Sequence, residues 1–448
     1  MINSRWAAFR GKRVLLLQGP VGPFFRRLAT LLEQVGAQVH KVNFNGGDCL
    51  FYPTGAIGWR GSMADWPGYF ERLLEELEVD IVLLFGDCRP IHRPTREIAL
   101  RHGVTVGAFE EGYVRPNFIT FEQFGVNGYS LLPRDPSHYR MLPDEPGSPE
   151  KEVGNTFWYA ALWAILYYAA SAILHPLFRR YHHHRPLNIW EGLPWVRSAW
   201  RKAFYRWTER GSMRLLTGPL SGKFYLVPLQ ISTDSQVEQH SEFDSLADFI
   251  REVVASFVAH APVDSVLVIK HHPLDRGYHD YRRLIQQLSA DFRLGQRLQY
   301  IHDQHLPTLF SHMRGAVVVN STVGFSSLTH GAPLKACGVA IYDIEGLAFQ
   351  GPLDEFWAAA RTFRPDMDLL ARFRSYLVDH TQINGSFYKG GIDRNLCMSM
   401  ALLEDEDTVP ASNHTILAEA RAGAELRPIV HAIAASARSG PTTSQSVA

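Results

Sequence analysis

The chain has 448 residues, 46% of them apolar and 20% charged, with 45 Lys and Arg balancing 45 Asp and Glu. That length exceeds one ordinary core and points to two domains of a globular protein. A formal net charge of zero removes the usual electrostatic basis of a nucleic-acid binder. Four scattered cysteines (Cys49, Cys88, Cys337, Cys397), without CxxC spacing, read as reduced, packed thiols and not as disulfides or zinc ligands.

In chain order, the residues from Met1 to Arg13 hold no apolar stretch followed by a small-residue cleavage site. No secretory signal is expected, and the protein is expected in the cytoplasm. Val14–Leu17 predicts the first strand, followed by the turn Gln18-Gly19-Pro20-Val21-Gly22-Pro23 and a helix from Phe24 to about Val35. Val39–Phe44 predicts the second strand, closed by Asn45-Gly46-Gly47-Asp48. A helix near Tyr69–Leu77 leads to strands at Ile81–Phe85 and Thr105–Phe109, with another helix between them. Past residue 220 the pattern resumes, with strands at Phe224–Leu229, Val266–Ile269, Leu298–Ile301, Ala316–Val319 and Ala340–Tyr342. Strands alternating with helices in this way predict an α/β fold of two Rossmann-like units with parallel sheets.

Between the two units the composition changes. Phe157 to Leu174 carries no charge, and it reaches the lower limit of a membrane span. A span there would put the two units on opposite sides of a membrane, so packing on a domain or a membrane surface is expected instead. Arg179 to Arg214 holds nine Arg and Lys against two Glu, interleaved with Trp190, Trp195, Trp200 and Trp207. Such a mixture suits anionic headgroups at a membrane surface; packing on the domains with exposed arginines is the alternative. The contiguous His182-His183-His184 run lacks helical ligand spacing, and no metal is expected.

Ligands of open α/β sheets bind beyond the carboxyl ends of the strands, and four segments place chemistry there. Gln18, Gly19 and Gly22 follow the first strand, without the GxGxxG fingerprint of a dinucleotide site. Glu110 and Glu111, with Arg115 nearby, follow a buried strand, and alternation allows one of the two carboxylates to face a cleft. Gln230 and Asp234 open the second unit among Ser and Thr. There Asp234 is held ionised by hydrogen bonds as a nucleophile or electrostatic stabiliser, or equally caps a helix. Lys270, His271, His272 and Pro273 follow one strand; Asn320, Ser321, Thr322, Gly324, Ser326 and Ser327 follow another. Hydroxyls and free amides at a helix start suit a phosphate, and the lysine and histidines could neutralise it.

Taken together, these motifs resemble the bacterial capsule Kdo transferases, the KpsS-type capsular polysaccharide biosynthesis proteins. The runs Leu17 to Phe25, Lys41 to Asp48, Phe109 to Pro116, Pro228-Leu229-Gln230 with Asp234, His272-Pro273 and Asn320 to Gly324 carry the likeness, over roughly residues 12 to 400. A wider similarity to bacterial sialyltransferases rests on Glu110-Glu111-Gly112, His272-Pro273, Ser321 and Ser326-Ser327. The resemblance implies a GT-B-like glycosyltransferase whose two Rossmann-like domains face one cleft. Along the chain the expected division is an acceptor-side domain over 1–150, a helical linker or membrane-association segment over 151–215, a nucleotide-sugar domain over 216–403 and a partly disordered tail over 404–448; the aromatic segment at 157–174 and the tail have no counterpart in the resemblance. The resemblance also implies CMP-Kdo as donor and a glycerophospholipid acceptor, with β-linked transfer that retains configuration and no cofactor or metal. Asp234 would be the nucleophile and Glu111 or Glu110 the base, with His272 also catalytic. Lys270, His271, Pro273, Ser321, Thr322, Gly324, Ser326 and Gln230 would hold the donor, and Gln18, Gly19, Gly22, Asn45 and Arg115 would line the acceptor side. Expected partners are the inner face of the cytoplasmic membrane and other capsule assembly proteins, with no nucleic acid. Two alternatives are a CMP-sugar transferase of other specificity and a non-catalytic capsule assembly or export adaptor.

Overall fold

The computed structural model describes residues 8–143, 148–181 and 192–389. The tail expected from residue 404, Cys397, Trp190 and the histidine run at 182–184 lie outside them. The first unit comprises residues 8–132, 148–181 and 374–389, and the second 133–143 and 192–373.

The first unit opens with β1 (Arg13–Leu16), α1 (Phe24–Gln34), β2 (Gln38–Asn43), α2 (Gly46–Phe51), β3 (Ile57–Gly58) and α3 (Trp66–Glu76). It continues with β4 (Ile81–Phe85), α4 (Arg93–Arg101), β5 (Thr105–Glu111) and β6 (Phe118–Gln123). All five residues of β4, Ile-Val-Leu-Leu-Phe, are buried, as expected of a central parallel strand covered on both faces. In α1 the buried residues Phe24, Phe25, Leu28, Ala29 and Leu32 recur at helical spacing and form its inner stripe.

The chain then passes through α5 (Pro136–Arg140), which belongs to the second unit, and returns for α6 (Phe157–Ile173). The second unit runs through α7 (Gly192–Thr208), α8 (Ser212–Thr217), β7 (Phe224–Pro228), α9 (Ser235–Gln239), α10 (Leu246–His260), β8 (Val266–Lys270) and α11 (Arg282–Asp291). It ends with β9 (Leu298–Ile301), α12 (Leu306–His312), β10 (Gly315–Val318), α13 (Thr322–Leu328), β11 (Leu334–Ala336) and α14 (Leu353–Ala359). Its sheet has the order β11-β10-β7-β8-β9, all parallel. The core beneath it gathers Tyr225, Phe249, Phe257, Leu267, Phe356 and Trp357. Ser245 caps α10 by accepting from the Asp248 amide, the start of a helix that buries seven residues against this core.

Two expectations need correcting. The second domain does not continue to residue 403. After α15 (Met367–His380), β12 (Gln382–Asn384) pairs antiparallel with β6 and completes the first unit's sheet, β12-β6-β5-β4-β1-β2-β3. Aromatic packing holds the returning segment: Phe387 stands 4.9 Å from Phe24 and 5.0 Å from Phe85, ring centre to ring centre. Nor is Ala340–Tyr342 a strand. Asp343 N donates to Ala340 O (3.1 Å), and this turn carries the Tyr342 hydroxyl beneath α13, where it bonds Ser321 O (2.5 Å).

Candidate active site

Both sheets reverse direction at one place. In the first unit the chain adds β2 and β3 on one side of β1, then β4 and β5 on the other. In the second it adds β8 and β9 beside β7, then β10 and β11 on the opposite side. Such a switch point leaves a crevice beyond the carboxyl ends of the two central strands.

In the first unit Gln18 follows β1 and is buried there. Its side-chain oxygen accepts from Arg89 Nη1 (3.1 Å), beyond β4, and from the Tyr181 hydroxyl (3.1 Å). Its side-chain nitrogen faces the Tyr167 hydroxyl (3.4 Å). Asn45, beyond β2, donates to the same hydroxyl (2.7 Å), which donates in turn to Asp48 Oδ1 (3.1 Å). Ser171 Oγ accepts from Gly47 N (2.9 Å) and donates to Asn45 Oδ1 (3.2 Å). Tyr167 and Ser171 lie on α6, so the charge-free segment packs over this crevice. The two glycines of Asn45-Gly46-Gly47-Asp48 make that possible. A β-carbon on Gly46 would stand 2.2 Å from Ala170 O, and one on Gly47 2.3 Å from the Tyr167 ring. Gly22 is close to Trp163, and Gly19 O lies 3.4 Å from Arg89 Nη1. What remains open beneath α6 is a cavity of about 20 Å³, room for a water. Lys41 is buried at its edge, and burial lowers its pKa to about 8 against the pull of Asp48.

Glu110 and Glu111 are not in a loop. They end β5, opposite Thr120 and Ile119 of β6, and point to opposite faces. Burial lifts the Glu110 carboxyl to about 7, although Oε1 accepts from the Glu111 amide (3.0 Å) and the Arg89 charge opposes the rise. Glu111 Oε1 accepts from the Tyr388 hydroxyl (2.9 Å), tying β5 to the returning segment. Arg115 turns back on its own hairpin, donating to Gly112 O (3.3 Å).

In the second unit Gln230 bridges the switch point. Its Nε2 donates to Asp234 Oδ2 (3.0 Å) and to Asn320 Oδ1 (2.9 Å), and its Oε1 accepts from Asn320 N (3.3 Å). Asp234 Oδ1 caps α9 by accepting from Gln236 N (3.0 Å). Burial outweighs both bonds and raises the carboxyl above its ordinary value. The bonds expected to hold Asp234 ionised are present, and desolvation opposes them. Asp275 clamps the preceding turn, accepting from Ser232 N (3.1 Å) and Ser232 Oγ (2.9 Å).

Lys270 ends β8, the neighbour of β7. It is buried, its ammonium donates no hydrogen bond among the described residues, and burial lowers its pKa to about 8 against the pull of Asp303 and Glu209. His271 adds no charge beside it. Its ring accepts from the Tyr300 hydroxyl (2.7 Å), and burial drops its pKa to about 3. His272 accepts from Leu274 N (3.2 Å) and caps the turn that Pro273 begins. Ser321 caps α13 through Val323 N (3.2 Å), while Ser326 Oγ points to Thr322 O (3.5 Å). Gly324 lets the Tyr342 hydroxyl approach, since a β-carbon there would meet it at 2.5 Å. Asp234, Lys270, His272 and Ser321 thus follow neighbouring strands at one end of one sheet. Sequence reading missed Arg89, Lys41, Tyr167, Tyr181 and Asp275. Arg89 lies beyond the end of β4, where the same rule finds it; Lys41 lies within β2, and the others arrive through tertiary contacts.

Residues 80–388 match the family described as capsule polysaccharide biosynthesis protein. The chain is 43% identical over 396 residues to the capsule polysaccharide export protein KpsS of Escherichia coli, covering 86% of this chain and 99% of that one. The chain belongs to this capsule polysaccharide biosynthesis family. Another relative, the capsule polysaccharide modification protein LipB of Neisseria meningitidis serogroup B, is 38% identical over 387 residues, 84% of this chain and 92% of its own. Among solved structures, Anabaena HepE in complex with UDP-glucose covers 81% of this chain and 94% of its own, at 10% identity and a TM-score of 0.33, too distant to carry an argument. The family match spans the whole second-unit sheet, from β7 to β11, and in the first unit it runs from β4 to the returning segment. Among the described residues no group of three His, Cys, Asp or Glu side chains is placed to hold a metal.

Proposed function

We propose that this capsule-family protein is a glycosyltransferase that moves Kdo from CMP-Kdo to a glycerophospholipid, with retention, to begin the lipid linker of a capsule. The observation that carries the reading is the second unit's switch point. A desolvated carboxylate, Asp234, is oriented by Gln230 there, and Lys270, a buried lysine whose ammonium makes no hydrogen bond among the described residues, stands at the end of the adjacent strand. A CMP-activated keto sugar acid brings a carboxylate and a phosphate leaving group, and a poorly solvated cation suits either anion.

In the proposed sequence Asp234 Oδ attacks the donor's anomeric carbon, the bond to the phosphate oxygen breaks, and CMP leaves. The acceptor hydroxyl then displaces Asp234 from the sugar and gives its proton to a base. Glu110 suits that role, because its pKa of about 7 lets it take up a proton near neutrality. The basic helix α7 supports action at the inner face of the cytoplasmic membrane. Arg197, Lys202 and Arg206 are exposed on it beside Trp200 and Trp207, with exposed Arg210 just beyond its end. Arg201 is not free for this purpose: it bonds Arg276 O (2.8 Å) and Asp280 (3.1 Å).

Incubation with CMP-Kdo and a fluorescent phosphatidylglycerol analogue tests the reading, with products read by mass spectrometry. A product heavier by one or more Kdo residues is expected, and without acceptor a sugar adduct on the peptide that holds Asp234. Transfer only from another CMP-sugar would change the donor. The name of the relative KpsS, an export protein, favours one other reading, an adaptor. Binding of CMP with no turnover of any CMP-sugar would establish that reading in place of the first.

A further inference from the structure

Helix α6 has its polarity inside out. The groups it turns toward the first unit are hydrogen-bonding ones: the Tyr167 hydroxyl, Ser171 Oγ, and the Trp163 indole, which donates to Tyr388 O (3.0 Å). The side chains it turns outward are apolar. Trp158 and Ile173 are each 75% exposed and Ile165 51%, and Phe157, Leu162 and Leu166 share the exposed surface. No Lys, Arg, Asp or Glu occurs from residue 153 to 178, and the helix is followed at once by exposed Arg179 and Arg180. A water-facing helix normally shows the opposite arrangement, and an apolar patch of this kind marks a contact surface. No helix among the described residues is long and apolar enough to cross a membrane; α6 itself has 17 residues.

We propose that the outer face of α6 is a bilayer seat: the helix lies flat in the membrane interface with Trp158, Leu162, Ile165 and Ile173 among the upper acyl chains. The charge pattern chooses this occupant over a second copy of the chain. An apolar face without a single ion, bordered by an arginine pair, matches hydrocarbon beneath anionic headgroups. Tyr159, exposed on the same helix, suits the boundary between them. The inward hydrogen bonds give the seat a consequence. They tie Gln18, Asn45 and Gly47 to the helix, and a helix is about 10 Å across. The crevice at the first unit's switch point is thereby held at headgroup depth, where the polar end of a membrane lipid lies. The seat itself depends on neither donor nor turnover.

The test uses the full chain and vesicles of neutral phosphatidylcholine in about 1 M salt, where screening leaves a range of about 3 Å to charge attraction. The wild-type chain is expected to stay bound. Ile165→Asp with Ile173→Asp is expected to lower the partition constant by at least about tenfold, since two exposed apolar side chains lose their burial. Both residues are exposed, so thermal unfolding of the double variant should match the wild type. Trp158→Ser repeats the measurement without adding charge and should lower binding less. Loss of wild-type binding in high salt would overturn the seat and leave only electrostatic attachment. So would a double variant that binds vesicles normally but changes from dimer to monomer in sedimentation, which would make the face an interface between copies. Each reading is independent of transferase activity.

Discussion

The two switch points use the same device and end differently. In each, a glutamine after the central strand reaches a residue beyond the strand on its other side: Gln18 to Arg89 in the first unit, Gln230 to Asn320 in the second. In the first unit the remaining hydrogen-bonding capacity goes to α6, through Tyr167 and Tyr181, and about 20 Å³ stays open. In the second it goes to a carboxylate, Asp234, with a buried lysine on the next strand. Strand order therefore locates a crevice, and what packs over it decides whether chemistry can occur there. The first unit's crevice is organised around a helix whose apolar face is exposed, and the second around a carboxylate and a cation.

The comparison breaks most visibly at Asp234. Asp234→Asn should lower transfer by on the order of 10⁴, because an amide is a far poorer nucleophile. Urea unfolding should shift by less than about 0.5 kcal/mol, since asparagine caps a helix as well as aspartate. Near-normal transfer would reduce Asp234 to a cap and make the second crevice as structural as the first.

Glu110→Gln should lower transfer by roughly 10²–10³ as the base is lost. It also has a signature in stability. The folded carboxyl has a pKa of about 7 against an ordinary 4.5, so the folded state holds the proton more tightly than the unfolded one. This stabilisation is full below about 4.5 and disappears as pH rises through 7. Wild-type unfolding free energy should therefore fall between about pH 5 and 8 by on the order of 1–3 kcal/mol relative to the Gln variant. Parallel curves for the two would place Glu110 in water.

Closure of the first crevice can be sharpened at Gly46. Gly46→Ala puts a methyl where only 2.2 Å separates it from Ala170 O, and should cost about 1–3 kcal/mol in urea unfolding. An unchanged midpoint would mean that α6 does not close on α2. The smallest effect is expected on α7: Arg206→Ser should weaken binding to anionic vesicles by about 1 kcal/mol, roughly fivefold, with hydrolysis of CMP-Kdo unchanged. The difference should shrink as salt rises.

Much of the fold is legible in the sequence because buried parallel strands announce themselves. Ile81–Phe85 and Leu298–Ile301 are bounded by turns and are observed at those limits. β12 is not legible in that way. Gln382-Ile383-Asn384 is three residues long and pairs with β6 across more than 250 positions, so no local periodicity marks it. The candidate site divides along the same line. Gln230, Asp234, Lys270 and Ser321 could be picked out because each follows a strand. The neutral state of His271 could not, since it depends on Tyr300 and on burial.

By itself the sequence determined the repeated strand and helix pattern, the family motifs, and a charge-free segment set between two units. Those are properties of local order and composition, and hydrophobic periodicity carries them without reference to distant residues. Only the tertiary structure decided that burial lifts the Glu110 carboxyl, that residues 374–389 complete the first sheet, and that α6 turns its hydroxyls inward and its apolar face out. Burial and hydrogen-bond partners come from residues far apart in the chain, so no window of sequence contains them.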